Sequence, residues 1–113
     1  MVLKTSVFLS LLLVAASCSS GSDESTVVNE SKPLTQIEAH SVYMLNCASC
    51  HGEDGQLGAS GAANLVASKM TEAQIKTTIL KGNNKGMMPY EEILTTREIE
   101  GLVGIVKSLQ QTK

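Results

Sequence analysis

Three segments of the chain combine a helix-start signal with apolar residues three or four positions apart. Each start is a capping box, in which a threonine and the Glu or Gln three residues later satisfy each other's backbone donors. The three threonines are Thr35, Thr71 and Thr95. The pattern predicts helices over Gln36–Asn46, Glu72–Lys81 and Thr96–Gln110, with a closing glycine directly after the second.

The apolar spacing also predicts which face of each helix is buried. Tyr43, together with Ile37 and Met44, forms the predicted inner face of the first helix. The predicted inner face of the last helix consists of Ile99, Leu102, Val103, Val106 and Leu109. No segment alternates apolar and polar residues with a period of two, so the sequence predicts an all-α domain without a significant sheet.

The N-terminal segment has the pattern of an export signal. Residues 1–17 contain one basic residue, then an apolar run, then three small residues. This order is typical of a secretory signal peptide, and the run is too short to span a membrane. Cys18 follows where cleavage is expected, and residues 15–18 resemble a bacterial lipobox. We therefore expect Cys18 to be lipidated, the alternative being that it lies inside a leader removed further downstream.

The segment after Cys18 predicts a tether. Residues 18–33 are mostly small, polar and charged, a composition that cannot bury a core. This division leaves residues 34–113 as one folded domain on the periplasmic side of a bacterial membrane, held there by the lipid or, in the alternative, soluble in the periplasm.

Composition restricts what this domain can contain and bind. The chain has one Phe, two Tyr and no Trp, so a core built from protein alone is thin. Domains this small usually need a disulfide, a metal or another covalent staple. The net charge of −2 gives no support for nucleic acid as a partner, because phosphate binding requires a basic surface.

The segment from Cys47 to His51 supplies such a staple. Its sequence, Cys-Ala-Ser-Cys-His, has the spacing that attaches a c-type haem through two thioether bonds. His51 is then predicted to be the proximal iron ligand. The competing interpretation, a redox-active dithiol or a metal site formed by Cys47 and Cys50, lacks the further ligands or the βαβ pattern that it requires.

A second iron ligand is predicted in the loop Gly86-Met87-Met88-Pro89. A methionine on an irregular loop next to proline suits a thioether ligand, which raises the reduction potential of haem iron. Sequence alone does not decide between the two methionines, and we favour Met88, which directly precedes Pro89.

Together these segments resemble the class I c-type cytochromes, in particular small bacterial proteins with a single haem. The resemblance covers residues 34 to the end and rests on residues 47–55, 64–65, 86–89 and 98–103. It implies the cytochrome c fold, with three main helices around one covalently bound haem c, and the methionine before Pro89 as sixth ligand. The family often has proline where this chain has Ala63, whose carbonyl we expect to accept a hydrogen bond from His51.

We expect an electron carrier and no enzyme activity, because iron held by both His51 and Met88 has no open position for a substrate. The resemblance implies redox partners such as a terminal oxidase or a periplasmic dehydrogenase. The alternative is a haem enzyme or gas sensor with a labile methionine ligand. His40 is the only other histidine and is predicted to lie on a helix surface. The sequence offers no distal His or Arg suited to peroxide chemistry.

Overall fold

A computed structural model describes residues 30–112, and the regular structure in this range is entirely helical. The α-helices are α1 (Gln36–Asn46), α2 (Ala48–His51), α3 (Glu72–Lys81) and α4 (Thr96–Gln110), with a 3-10 turn over Ala59–Gly61. The all-α prediction is confirmed, and the three longer helices have the predicted bounds. Helix α2 and the 3-10 turn were not predicted. The predicted signal peptide and Cys18 lie outside the described residues.

Membrane-spanning helices are not found in residues 30–112, where no helix combines the necessary length with the necessary apolar character.

All three predicted capping boxes are present. In α1, the Thr35 hydroxyl accepts from the Glu38 backbone N–H at 3.3 Å, and the Glu38 carboxylate accepts from the Thr35 backbone N–H at 2.7 Å. These bonds from Thr35 hold the pKa of Glu38 below its usual range. Thr71 with Gln74, and Thr95 with Glu98, repeat the arrangement at α3 and α4. Each box satisfies backbone donors that the first turn leaves without helical partners.

Helix α4 is the centre of the packing, since both α1 and α3 lie against it. The core consists of nine buried side chains drawn from these three helices: Ala39, Tyr43, Ile75, Ile79, Ile99, Leu102, Val103, Ile105 and Val106. Tyr43 and Leu102 are its largest fully buried members. Leu34, Met70 and Leu94, the apolar residues before the three caps, pack against this cluster from outside.

The predicted inner face of α1 is confirmed for Tyr43 and is wrong for Ile37 and Met44. Ile37 is 80% exposed and Met44 is 39% exposed, whereas Ala39 and Tyr43 are buried. The reason is the close approach of α1 to Gly101 of α4, where an added Cβ would lie 3.1 Å from the Ala39 Cβ. Only a small side chain fits at that approach, so α1 turns its Ala39 face toward the core.

Candidate haem-binding site

A cavity of about 410 Å³ lies between the C-terminal end of α1, helix α2, the loop that follows it and the loop before Pro89. Its lining includes all four residues predicted to bind the cofactor: Cys47, Cys50, His51 and Met88. Met87 lines it as well, and Leu102 and Val106 of α4 contribute apolar surface. The fold therefore brings together groups that are separated along the chain.

Helix α2 positions the two cysteines and the histidine. It begins directly at the end of α1: the Cys47 N–H donates to the Tyr43 carbonyl at 2.8 Å, and the His51 N–H donates to the Cys47 carbonyl at 2.9 Å. Residues three and four apart lie on one side of a helix. This single helical turn therefore places Cys47, Cys50 and His51 on the same side. The buried Tyr43 hydroxyl then donates to the Gly52 carbonyl at 2.6 Å and fastens the far end of the turn to α1.

The orientation of the His51 ring is set by the carbonyl of Ala63, as expected from the sequence. The ring Nδ1 lies 2.9 Å from the Ala63 carbonyl oxygen. A carbonyl can only accept, so Nδ1 carries the proton and Nε2 keeps the lone pair that a metal requires. Such a hydrogen bond also orients the imidazole and raises its strength as a ligand.

The glycine-containing loop between α2 and α3 folds back to form one wall of the cavity. Gly55 is buried with φ of +76°, and a Cβ there would lie 3.0 Å from the Leu109 Cδ1 and 3.1 Å from the Leu65 Cβ. The Leu65 N–H donates to the Gly55 carbonyl at 2.8 Å, which closes the bend. Glycine is needed because other residues rarely adopt this conformation and no space exists for a side chain. Residues 59–63 consequently line the cavity.

The methionine loop also lines the cavity, and Tyr90 anchors its C-terminal end. The Tyr90 N–H donates to the Ile79 carbonyl at 3.0 Å, and the Tyr90 hydroxyl donates to the Asn46 carbonyl at 2.9 Å, next to Cys47. Met87 is half-buried against the core, whereas Met88 is 53% exposed. Since both methionines line the cavity, the choice of Met88 as ligand stays a prediction.

The Cys47 thiol does not have the character of a nucleophile in a redox-active dithiol. Burial, and secondarily the neighbouring Cys50, raise the pKa of the Cys47 thiol to about 11. Reactive Cys-x-x-Cys pairs have a lowered pKa instead, because the thiolate is the nucleophile. Within residues 30–112, no three side chains of His, Cys, Asp or Glu are grouped so that they could hold a metal ion. Both observations disfavour the competing interpretation of Cys47 and Cys50.

The residues present fit a c-type haem. The cavity has a volume usual for a cofactor site and a mainly apolar lining. It offers two thiols for covalent attachment, an oriented imidazole and a thioether, which are donors that suit haem iron.

Sequence reasoning missed three contributors to the site. Tyr43 and Tyr90 line the cavity and hydrogen-bond to the backbone beside the haem-binding motif. Asn83 also lines it and bonds within the methionine loop. The sequence held a signal for each of these three contributors. Asn83 directly follows a helix-closing glycine, a position that favours a local turn. The two tyrosines are the domain's only aromatic residues.

Comparisons with known proteins identify the family and the fold. The profile of the family described as cytochrome C oxidase, cbb3-type, subunit III matches residues 36–104. Among solved structures, the chain is similar to the KustC0563 c-type cytochrome, with 29% identity and a TM-score of 0.57 over 63% of this chain and 95% of that one. A comparison with curated proteins gave no significant match. The chain therefore belongs to the cbb3-type subunit III family and is a small c-type cytochrome that binds haem c covalently.

Proposed function

We propose that this protein carries single electrons through a haem c attached to Cys47 and Cys50, with His51 and Met88 as the axial ligands of the iron. The observation that supports this most strongly is that these four side chains line one cavity although Met88 lies far along the chain from the other three. A thioether and an imidazole together fill both axial positions, which favours electron transfer over substrate chemistry.

The haem supplies an iron that changes oxidation state by one electron, and sulfur ligation favours its ferrous form. The protein holds the surroundings of that iron constant. The Ala63 carbonyl keeps the His51 ring in one orientation through the bond at 2.9 Å, and Leu102 and Val106 exclude water from part of the lining. A fixed environment lowers the cost of reorganisation when the charge changes.

The ligand assignment is tested by the weak sulfur-to-iron absorption band near the red end of the ferric spectrum. Met88→Ala is expected to abolish this band, because it removes the thioether. Met87→Ala, the matched control in the same loop, is expected to keep it. Loss of the band only in Met87→Ala would reverse the assignment, and a wild-type protein without the band would contradict His/Met ligation.

A haem enzyme or gas sensor is the second candidate, and the 53% exposure of Met88 is the observation that favours it. Against it, His51 is the only histidine among the described residues that line the cavity, and none of them is an arginine. Carbon monoxide separates the two candidates. An electron carrier with a retained methionine binds it slowly and partially at neutral pH, whereas rapid and complete binding to the reduced protein would favour the second candidate.

The proposed location is the periplasmic side of a bacterial membrane, with a lipid on Cys18 as the anchor. The support is the leader pattern of residues 1–17 and the lipobox resemblance before Cys18. Cys18→Ser is expected to move the protein from the membrane fraction to the soluble fraction. A wild-type protein that is already soluble would contradict the anchor.

The proposed partners are redox proteins, such as a terminal oxidase or a dehydrogenase. Lys81 pairs with Glu91 at 2.5 Å, so these two charges largely cancel at the rim. Lys85 lines the cavity and makes no ion pair within residues 30–112. A positive charge there would steer an acidic partner surface toward the haem.

Lys85→Glu is therefore expected to slow electron transfer to an acidic partner. The rate should fall more at low salt than at high salt, because salt screens the attraction.

A further inference from the structure

Asn83 makes the hydrogen bonds that close the turn before Met88. Its side-chain Oδ1 accepts from the backbone N–H groups of Lys85 at 2.9 Å and Met87 at 3.2 Å. Its own backbone N–H donates to the Met87 carbonyl at 3.0 Å. Asn83 therefore holds both peptide groups of Met87.

The Met87 carbonyl belongs to the peptide bond that joins Met87 to Met88. Because a peptide unit is planar, holding its carbonyl fixes the plane from which the Met88 Cα and side chain project. Asn83 thus acts on Met88 through one peptide unit, without touching its sulfur.

The end of α3 holds the same peptide unit from another side. Gly82 has φ of +67°, and a Cβ there would overlap the Met87 carbonyl oxygen and lie 2.9 Å from both the Met88 carbonyl carbon and the Pro89 nitrogen. The loop backbone therefore lies directly against Gly82, the residue that follows α3. Its backbone has no room to shift toward the helix.

We propose that Asn83 is a positioning residue for the sixth iron ligand. It holds the Met87–Met88 peptide so that the Met88 thioether is presented to the cavity in one orientation, although Met88 itself is half-exposed and gains little from packing. Preorganisation of this kind lowers the entropy lost when a loop residue binds a metal. The inference rests on the proposed function, since it takes Met88 as the ligand.

The test is a titration of the ferric, haem-loaded protein with imidazole, which competes with Met88 for the iron. Asn83→Ala removes the acceptor of two backbone N–H groups and is expected to bind imidazole roughly tenfold more tightly than the wild type. Asn83→Asp keeps an acceptor oxygen and is expected to restore an affinity within about threefold of the wild type. Asn84→Ala is the matched control, because the Asn84 side chain is exposed and makes no hydrogen bond within the described residues.

Two results overturn the proposal: an imidazole affinity of Asn83→Ala equal to that of the wild type, even with a lower thermal unfolding temperature, or an equal gain in Asn84→Ala. If Asn83→Ala does not retain its haem, Asn83→Ser, whose hydroxyl is too short to serve both N–H groups, is measured with the same expectation. A wild-type protein that lacks the sulfur-to-iron band contradicts the proposed function. A wild type that has the band beside an unaffected Asn83→Ala overturns this inference alone.

Discussion

The hydrogen bond between His51 and the Ala63 carbonyl fixes the orientation of the His51 ring through a backbone group alone. The bond to His51 uses only the carbonyl of Ala63, so we expect a residue that keeps the carbonyl and stiffens the chain to be tolerated there. The conformation before it is suitable for proline, since Ala62 has φ of −59° and ψ of 139°. The Ala63 N–H donates no hydrogen bond within residues 30–112.

We accordingly predict that Ala63→Pro stabilises the folded protein. The expected gain is about 0.4–1 kcal/mol, because proline reduces the entropy of the unfolded chain. Thermal unfolding followed by circular dichroism measures it, and the haem spectrum serves as the control that His51 ligation is unchanged. A lower unfolding temperature would mean that the backbone at Ala63 cannot accept the proline ring.

The Tyr43 hydroxyl is predicted to make stability depend on alkaline pH. Burial, with smaller effects of Cys47 and Asp54, raises the pKa of Tyr43 from 10.0 to about 12. A raised folded-state pKa means that the contribution is complete below the unfolded pKa and is lost as pH rises through the folded one. Tyr43→Phe loses the bond to Gly52, worth about 1 kcal/mol, and with it the contribution of Tyr43 to the pH dependence.

The measurement is the free energy of unfolding of both proteins in denaturant at several pH values. The difference between the wild type and Tyr43→Phe is expected to be constant up to about pH 10 and to shrink between about pH 10 and 12. A difference that stays constant across that range would show that the Tyr43 phenol is not protected from ionisation.

At the scale of the helices, the crossing of α1 and α4 depends on Gly101. An added Cβ there would lie 2.9 Å from the Leu34 Cδ1 and 3.1 Å from the Ala39 Cβ. The Ala39 Cβ is fixed to the α1 backbone and cannot move away alone. Gly104, in the same helix, is exposed, and an added Cβ would meet nothing within 4 Å.

Replacement by alanine is therefore predicted to change the stability in opposite directions at Gly101 and Gly104. Gly104→Ala is expected to stabilise the protein by about 0.5–1 kcal/mol through higher helix propensity. Gly101→Ala is expected to destabilise it by about 1 kcal/mol, because overpacking outweighs the same propensity gain. Denaturant unfolding of both variants checks this. Equal stabilisation by the two substitutions would show that α1 and α4 separate at little cost.

The helix bounds could be predicted from sequence because they depend on local chemistry. Thr35, Thr71 and Thr95 each carry the partner of their capping box within three residues. The buried face of α1 could not be predicted in the same way. Ile37 and Met44 have the right spacing for a core face, but the choice between the two apolar faces depends on the distant Gly101.

The same distinction between local sequence chemistry and contacts with distant residues applies to the candidate site. The cysteines, His51 and the methionine pair were predicted because their residue types and spacing carry the chemistry. Helix α2 was missed, since one turn has no periodicity to read and depends on contacts such as Tyr43 to Gly52. The position of Asn83 after Gly82 indicates a turn, but its role depends on which backbone N–H groups the loop places within reach of its side chain, and the sequence does not specify them.

For the molecule as a whole, the cavity occupies the place where a larger core would lie. The described core contains nine buried side chains, of which only Tyr43 is aromatic. A core of this size rarely stabilises so small a domain alone.

We predict that the double variant Cys47→Ser/Cys50→Ser, which cannot attach haem, is largely unfolded. Loss of most far-ultraviolet helical signal is expected, and retention of the full signal would show that the protein core suffices.

The central claim is that this chain holds one iron between His51 and Met88 and exchanges one electron. A redox titration of the purified, haem-loaded protein followed by absorption spectroscopy tests it most directly. The account predicts a single reversible one-electron transition, with the sulfur-to-iron band present throughout the oxidised form and a lower midpoint potential in Met88→Ala. An irreversible or multi-electron transition, or a midpoint potential unchanged by removal of both Met87 and Met88, would contradict it.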